Sequence, residues 1–102
     1  MSKTNNKWVF LTMLIPRGSE NAIEGERLDR MLNCERRTRF ELIEKARRDG
    51  EIICANQTGY YLPETLDELH NYYKFSRKKA LSILECLKPV RQKLVASGIK
   101  VR

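Results

Sequence analysis

Four consecutive pieces between Glu24 and Leu62 constrain the fold more than any other part of the chain. The first is a short amphipathic helix, with Leu28, Met31 and Leu32 spaced i, i+3, i+4 and Ile23 adding an apolar position at its start. Glu24 and Glu26 suit the positive end of its dipole, close to which Gly25 is tolerable. Asn33-Cys34-Glu35 then breaks the pattern, and Glu35 can cap the next helix. That second helix runs from Arg36 to Asp49 and is stopped by Gly50. Last come Glu51–Ala55 and Tyr60–Leu62, both with strand-forming residues, on either side of the turn-like Asn56-Gln57-Thr58-Gly59. Gly59 is expected to supply the positive φ such a turn often needs. Pro63 stops the pairing, because it has no N–H to give. Helix, short turn and helix are the parts of a helix-turn-helix, and a hairpin directly behind them is a wing.

The second helix is polar on one side and apolar on the other. Stepping 100° per residue puts Phe40, Ile43, Ala46 and the stem of Arg47 inward, with Leu42 beside them. Arg37, Thr38, Glu41, Lys45 and Arg48 fall on the outer arc. Arg39 falls inside the apolar arc, from which a long side chain can snorkel to the helix edge. From Arg36 to Arg48 there are six basic residues and two acidic ones, a net charge of +4.

Residues 1 to 5 read as a polar, frayed start. Asn5 to Ile15 reads as helix, with Trp8, Leu11 and Ile15 on one face and Phe10 and Leu14 beside it, although Val9 and Phe10 also suit a strand. Pro16 and Gly18 end that element. After the hairpin, Thr65 to Ser97 carries the longest helical pattern, opened by a capping box of Thr65 and Glu68. Leu66, Leu69, Tyr73, Ser76, Ala80, Ile83, Leu87, Val90 and Leu94 alternate three- and four-residue steps, the pattern of a coiled-coil seam. Such a helix would reach about 45 Å. Pro89 predicts a kink or break near Leu87 to Pro89, and Gly98 predicts the end, with Ile99 to Arg102 fraying. The organisation expected is a winged helix-turn-helix domain over residues 1–63 and a helical extension over 64–102 that mediates self-association. The fold class is mainly α with a small β-hairpin.

The balance of charge narrows the class of partner. Over 102 residues the net charge is +7, with 41% apolar and 32% charged residues, and the pI is about 9.6. A small basic domain suggests a polyanion, either nucleic acid or an anionic membrane surface. No segment approaches the ~18 apolar residues of a membrane span. The run Trp8–Ile15 is interrupted by Thr12 and lacks a small-residue cleavage site after it, so a soluble, cytoplasmic chain is expected. Cys34, Cys54 and Cys86 are widely spaced, with no Cys-x-x-Cys pair, and are read as buried or half-buried thiols in a reducing compartment. No metal site or cofactor is expected. His70 has no nucleophile arranged around it and there is no Gly-rich phosphate loop, so an enzyme is not expected either.

The basic helix carries the chemistry of duplex recognition. An α-helix fits the major groove of B-DNA, and Arg and Lys neutralise phosphates or read guanine O6 and N7. Recognition helices meet bases near their N-terminal end, here Arg36, Arg37 and Thr38. Arg37, Thr38, Glu41 and Lys45 are the base-side candidates; Arg36, Arg48 and Asn56 are the phosphate candidates. Asn56, Gln57 and Thr58 at the wing tip can bond phosphates or minor-groove edges, although turn chemistry alone explains Asn and Gly there. Of Tyr60 and Tyr61, at least one ring is expected in the core, with stacking on single strands the other option. From Lys74 to Arg102 nine basic residues face one acidic residue, which argues mildly against tight parallel pairing of the long helix.

Glu20-Asn21-Ala22-Ile23, Leu28, Arg37-Thr38, Leu42-Ile43, Arg47-Arg48-Asp49-Gly50 and Gly59-Tyr60-Tyr61-Leu62 together resemble the winged helix-turn-helix proteins of phages and prophages. The run is also similar to the wider group that includes the DNA-binding domain of the biotin operon repressor. The likeness covers about residues 11 to 62, and the long last helix resembles some phage members more loosely. Two positions depart: the family usually has an aliphatic residue where Arg39 stands and a basic one where Phe40 stands. The resemblance implies sequence-specific double-stranded DNA binding, with the helix beginning near Arg37 in the major groove, and a role in regulating phage transcription or replication. A homodimer would set two half-sites about 34–36 Å apart or a multiple of that. Two other functions compete: a protein-interaction adaptor gripping its partner through the seam Leu66–Leu94, and a C-terminal helix lying on a membrane surface.

Overall fold

In a computed structural model, residues 6–102 are described; the frayed start expected for residues 1 to 5 lies outside them. The chain is mainly helical, with a small antiparallel hairpin and a long C-terminal helix. A 3-10 turn at Asn6–Trp8 leads into α1, Val9–Leu14, and another follows at Ser19–Asn21. Next come α2 (Gly25–Leu32), α3 (Arg36–Arg48), β1 (Cys54–Ala55), β2 (Tyr60–Tyr61) and α4 (Leu66–Ala96). Two compact units result, one ending at Tyr72 and the other spanning Tyr73–Arg102.

The first unit is built on one apolar cluster. Trp8, Leu11 and Ile15 enter it from α1 and its flanks, Leu28 from α2, Ile43 and Ala46 from α3, and Ile23 and Ile53 from the connecting segments. Its rim also carries polar ties. The Trp8 indole donates to an Asp49 carboxylate oxygen at 2.7 Å, fastening the start of α1 to the end of α3. Met31, expected to point inward, is 44% exposed; Leu28 and Leu32 alone fill the inner side of α2.

α2 and α3 end in the same way. After α2, Asn33 takes the left-handed conformation at φ 52°. Its N–H donates to the Arg30 carbonyl and that of Cys34 to the Asp29 carbonyl, the two bonds of a Schellman cap. Asn tolerates this conformation better than most side chains. At the end of α3, Gly50 has φ 103°, with its N–H on the Arg47 carbonyl and that of Glu51 on the Ala46 carbonyl. The short break between α2 and α3 is therefore a hydrogen-bonded turn, which fixes how the two helices meet.

In the hairpin Cys54 pairs with Tyr61 and Ala55 with Tyr60. Ile23 lies along the other edge of Tyr60: its N–H donates to the Tyr60 carbonyl at 2.8 Å and its carbonyl accepts the Tyr60 N–H at 2.9 Å. Ile23 thus belongs to an extended segment before α2, not to the helix face read from the sequence. Gly59 does not take a positive φ. What requires glycine there is proximity, since a Cβ would overlap the Ile23 carbonyl. A second tether joins the N–H of Gly18 to the Leu62 carbonyl at 2.9 Å and the N–H of Leu62 to the Pro16 carbonyl at 2.8 Å.

α4 opens on the capping residues expected of it. Thr65 Oγ1 accepts the Glu68 N–H at 3.2 Å. The Glu68 carboxylate accepts the Glu64 N–H at 2.8 Å and, with its other oxygen, both the N–H and the hydroxyl of Ser19. One acidic side chain therefore ties the helix start to the loop after α1. The helix then runs unbroken through Pro89, where the sequence predicts a kink or break. The surrounding residues are exposed, so the carbonyl one turn back that loses its partner stays open to water. Gly98 ends the helix, and the segment after it does not simply fray: Val101 and Arg102 border an apolar hollow of about 260 Å³ with Leu84, Leu87, Val90 and Leu94.

Candidate nucleic-acid interface

α3 turns one wall to the core and the rest to solvent. Arg39, Ile43 and Ala46 are buried and Leu42 is half-buried. Arg36, Arg37, Thr38, Glu41, Lys45 and Arg48, all singled out from the sequence, are exposed on its outer side. The Arg37 side chain is 89% exposed and lies 3.9 Å from Glu41 one turn on. Arg48 pairs with Glu44 at 3.1 Å, also one turn apart and in solvent. Exposed i, i+4 pairs of this kind are worth only about 0.3–0.5 kcal/mol, so a phosphate or a base edge can displace them.

The inner wall differs from the sequence reading in the position of Phe40 and in how Arg39 is held. Phe40, expected inward, is 47% exposed, and Arg39 takes the buried position with 6% of its surface exposed. Arg39 reaches this place through a partner rather than by snorkelling. Its guanidinium donates to the Asp29 carboxylate of α2 at 3.1 Å and lies 4.9 Å from the Phe40 ring centre and 5.9 Å from that of Tyr60. Gly25 makes the room, because a Cβ there would overlap the guanidinium. The signal was present in the sequence as Gly25 and Asp29, one turn apart on α2, facing a cation in an apolar arc. Arg47 is exposed overall, but its Nε donates to the Ile53 carbonyl at 2.9 Å and its guanidinium lies 5.7 Å from the Tyr72 ring centre.

The hairpin stands beside this helix. Between them lies an open hollow of about 440 Å³, walled by Arg37, Phe40, Glu41, Glu44 and Arg47 of α3 and by Tyr60 of β2. Tyr61 is buried and Tyr60 half-buried, so one ring packs in the core and the other borders the hollow. At the tip, the Asn56 amide is committed to the fold. Its oxygen accepts the N–H groups of Thr58 and Gly59 at 2.9 and 3.0 Å, and its nitrogen donates to the Ser19 carbonyl at 3.1 Å. Gln57 and Thr58 are exposed. Phe40 and Tyr60 are the two residues of this surface that the sequence reading placed elsewhere or used otherwise.

Other features bear on the remaining expectations. The residues of the proposed seam split: Leu66, Tyr73, Ala80, Ile83, Leu87 and Val90 are exposed, while Leu69, Ser76 and Leu94 are half-buried. Cys54 is buried, Cys34 half-buried and Cys86 exposed, the last against the expectation of covered thiols. Burial pushes the Cys54 thiol up, away from the thiolate form that reactive cysteines use. Hydrogen bonds from the Ser19 and Glu64 backbone hold the Glu68 carboxyl below the usual range. Among the described residues no cluster of three metal-ligating side chains occurs, and no helix is long and apolar enough to cross a membrane. No protein family, curated protein or solved structure matches the chain.

Proposed function

We propose that this chain is a winged helix-turn-helix protein of the phage and prophage type, binding specific duplex sites to regulate transcription or replication. In this reading α3 lies in the major groove, and β1–β2 with its turn forms a short wing beside it. The observation that carries the reading is the exposure of Arg37, Thr38 and Lys45 on the outer side of a helix whose opposite wall is pinned by Ile43, Ala46 and the Arg39–Asp29 pair. Base-reading side chains held outward on a rigid helix meet the geometric demand of groove recognition. Arg36 and Arg48 at the two ends of α3 suit phosphates, as do backbone groups of the wing tip. The Asn56 side chain contributes by shaping that tip rather than by reaching outward.

The exposed apolar residues of α4 support pairing with a second copy, which would present two such helices to two half-sites. The same residues favour a second reading, an adaptor that seats a partner helix on α4. A gel-shift titration of the full-length protein against a random-sequence duplex pool tests the first reading. Retardation that weakens steeply with added salt, and that Arg37→Ala with Lys45→Ala reduces, supports it. Unchanged affinity in that double variant removes the assignment of α3, and no retardation at low salt favours the adaptor.

A further inference from the structure

We infer that Phe40 is a specificity residue that reads the C5 methyl group of a pyrimidine in the major groove. The inference rests on the reading of α3 as the groove-entering helix. Phe40 stands on the exposed side of α3, in the wall of the hollow that also contains Arg37, Glu41 and Tyr60. A half-exposed phenyl ring on a helix this cationic has no share in the core, so its own burial does not explain it. Two guanidinium groups lie against the ring. The Arg36 guanidinium lies 5.2 Å from its centre and that of Arg39 4.9 Å, and Arg39 is itself fixed by Asp29. A cation over an aromatic face is attractive and orients the ring without covering it.

A duplex offers this surface one apolar group on its major-groove floor, the methyl of thymine; 5-methylcytosine presents the same group from a different base. Arg37 and Glu41, on the same wall, bring the opposite preferences: a cationic donor for guanine and an acceptor for the cytosine amino group. The ring, on the same wall as the cationic and acidic side chains, therefore adds a third kind of base discrimination.

The test uses the full-length protein and a duplex selected by it from a random pool. Each thymine of the selected duplex is replaced in turn by deoxyuridine, and each cytosine by 5-methylcytosine. The expected result is a loss of about fourfold at one uracil position, the worth of burying one methyl-sized group. A gain of similar size at one 5-methylcytosine position identifies the other source of the methyl. Phe40→Ala abolishes the dependence and Phe40→Leu keeps part of it, each measured well below the variant's own melting temperature, where circular dichroism shows the helices of the native protein. A selected duplex that tolerates every replacement within twofold overturns the role of Phe40 while leaving groove binding in place. Failure to select any duplex overturns both.

Discussion

Arg39 of α3 and Asp29 of α2 meet at 3.1 Å with only 7% and 14% of their side chains exposed. The pair spans the turn between the two helices, joining the inner wall of α3 to α2. One oxygen of Asp29 and the Nε of Arg39 have no hydrogen-bond partner, so the pair is held by geometry and ring contacts as much as by full satisfaction. Removing one member leaves the other charged, buried and alone. Asp29→Ala is therefore expected to destabilise the protein by about 3 kcal/mol. Replacing both by apolar residues, Asp29→Leu with Arg39→Met, is expected to recover most of that loss. Urea titrations of the two variants check this, and equal destabilisation of both would refute it.

The hairpin depends on how closely Gly59 approaches Ile23. The group that an added Cβ would strike is the Ile23 backbone carbonyl, which is already bonded to Tyr60 and cannot rotate away. Gly59→Ala is expected to cost about 2 kcal/mol or more and to expose the amide of Tyr60 to exchange. Hydrogen exchange measured residue by residue separates this from a general loss of stability. Slow exchange persisting at Tyr60 would contradict the argument.

These two contacts show where the sequence was legible and where it was not. The order of elements was readable because each carries a local signal: periodic Leu28 and Leu32 for α2, Gly50 after α3, Thr65 and Glu68 at the start of α4. The outward placement of Arg37, Thr38, Glu41 and Lys45 followed from periodicity alone. Phe40 did not, and Arg39, which periodicity puts in the apolar arc, stays there instead of snorkelling out, because periodicity takes no account of a partner on another helix. Once Asp29 and Gly25 supply a charge and a space, the cation goes inside and the ring outside. Ile23 was misplaced for a related reason: a bridge to Tyr60, far along the chain, leaves no local mark. The Asn56 amide, read from the sequence as either a ligand or a turn former, holds the turn because its own backbone is nearer than any partner.

Glu68 gives the stability a pH dependence of known sign. The Ser19 backbone N–H, then that of Glu64, then the Ser19 hydroxyl hold its carboxyl below the usual range, and the unfolded chain provides no such donors. A carboxyl lowered on folding adds stability above its unfolded pKa, and that contribution fades as pH falls through the folded value. The melting temperature of the native protein should exceed that of Glu68→Gln at neutral pH, and the gap should close as the buffer is acidified below about pH 4. A gap that persists unchanged well below that acidity would assign the difference to packing instead.

Arg36 and Arg37 are neighbours with separable parts to play in the proposed complex. Arg36, a phosphate candidate, should when changed to Ala weaken every duplex and lower the salt slope by about one, with any change of preference confined to the base pair beside Phe40. Arg37→Ala should cost about 1–3 kcal/mol on the preferred sequence and relax the preference at one base pair. Both side chains are exposed, so neither change should move the melting temperature beyond what surface substitutions normally do. Affinities measured at several salt concentrations, on preferred and scrambled duplexes, distinguish the two. Identical behaviour of the two variants would argue against groove reading by the start of α3.

In the proposed function, α4 would decide whether a duplex is bound by one copy or two. Ile83, Leu87 and Val90 are large, apolar and exposed at three successive positions of the seam. A monomer would leave them in water, and burying each side chain against another apolar surface is worth about 1.5–3 kcal/mol. Light scattering of the full chain is expected to give about twice the 12.0 kDa of one copy. Ile83→Asp with Leu87→Asp should return the mass to that of one copy, because each change removes apolar surface from the seam and requires a carboxylate to be desolvated there. The same double variant should still shift a duplex carrying one half-site but lose the advantage of two correctly spaced half-sites. A native protein that scatters as a single copy at all accessible concentrations would leave α3 to act alone, and would direct the apolar side of α4 toward a different protein.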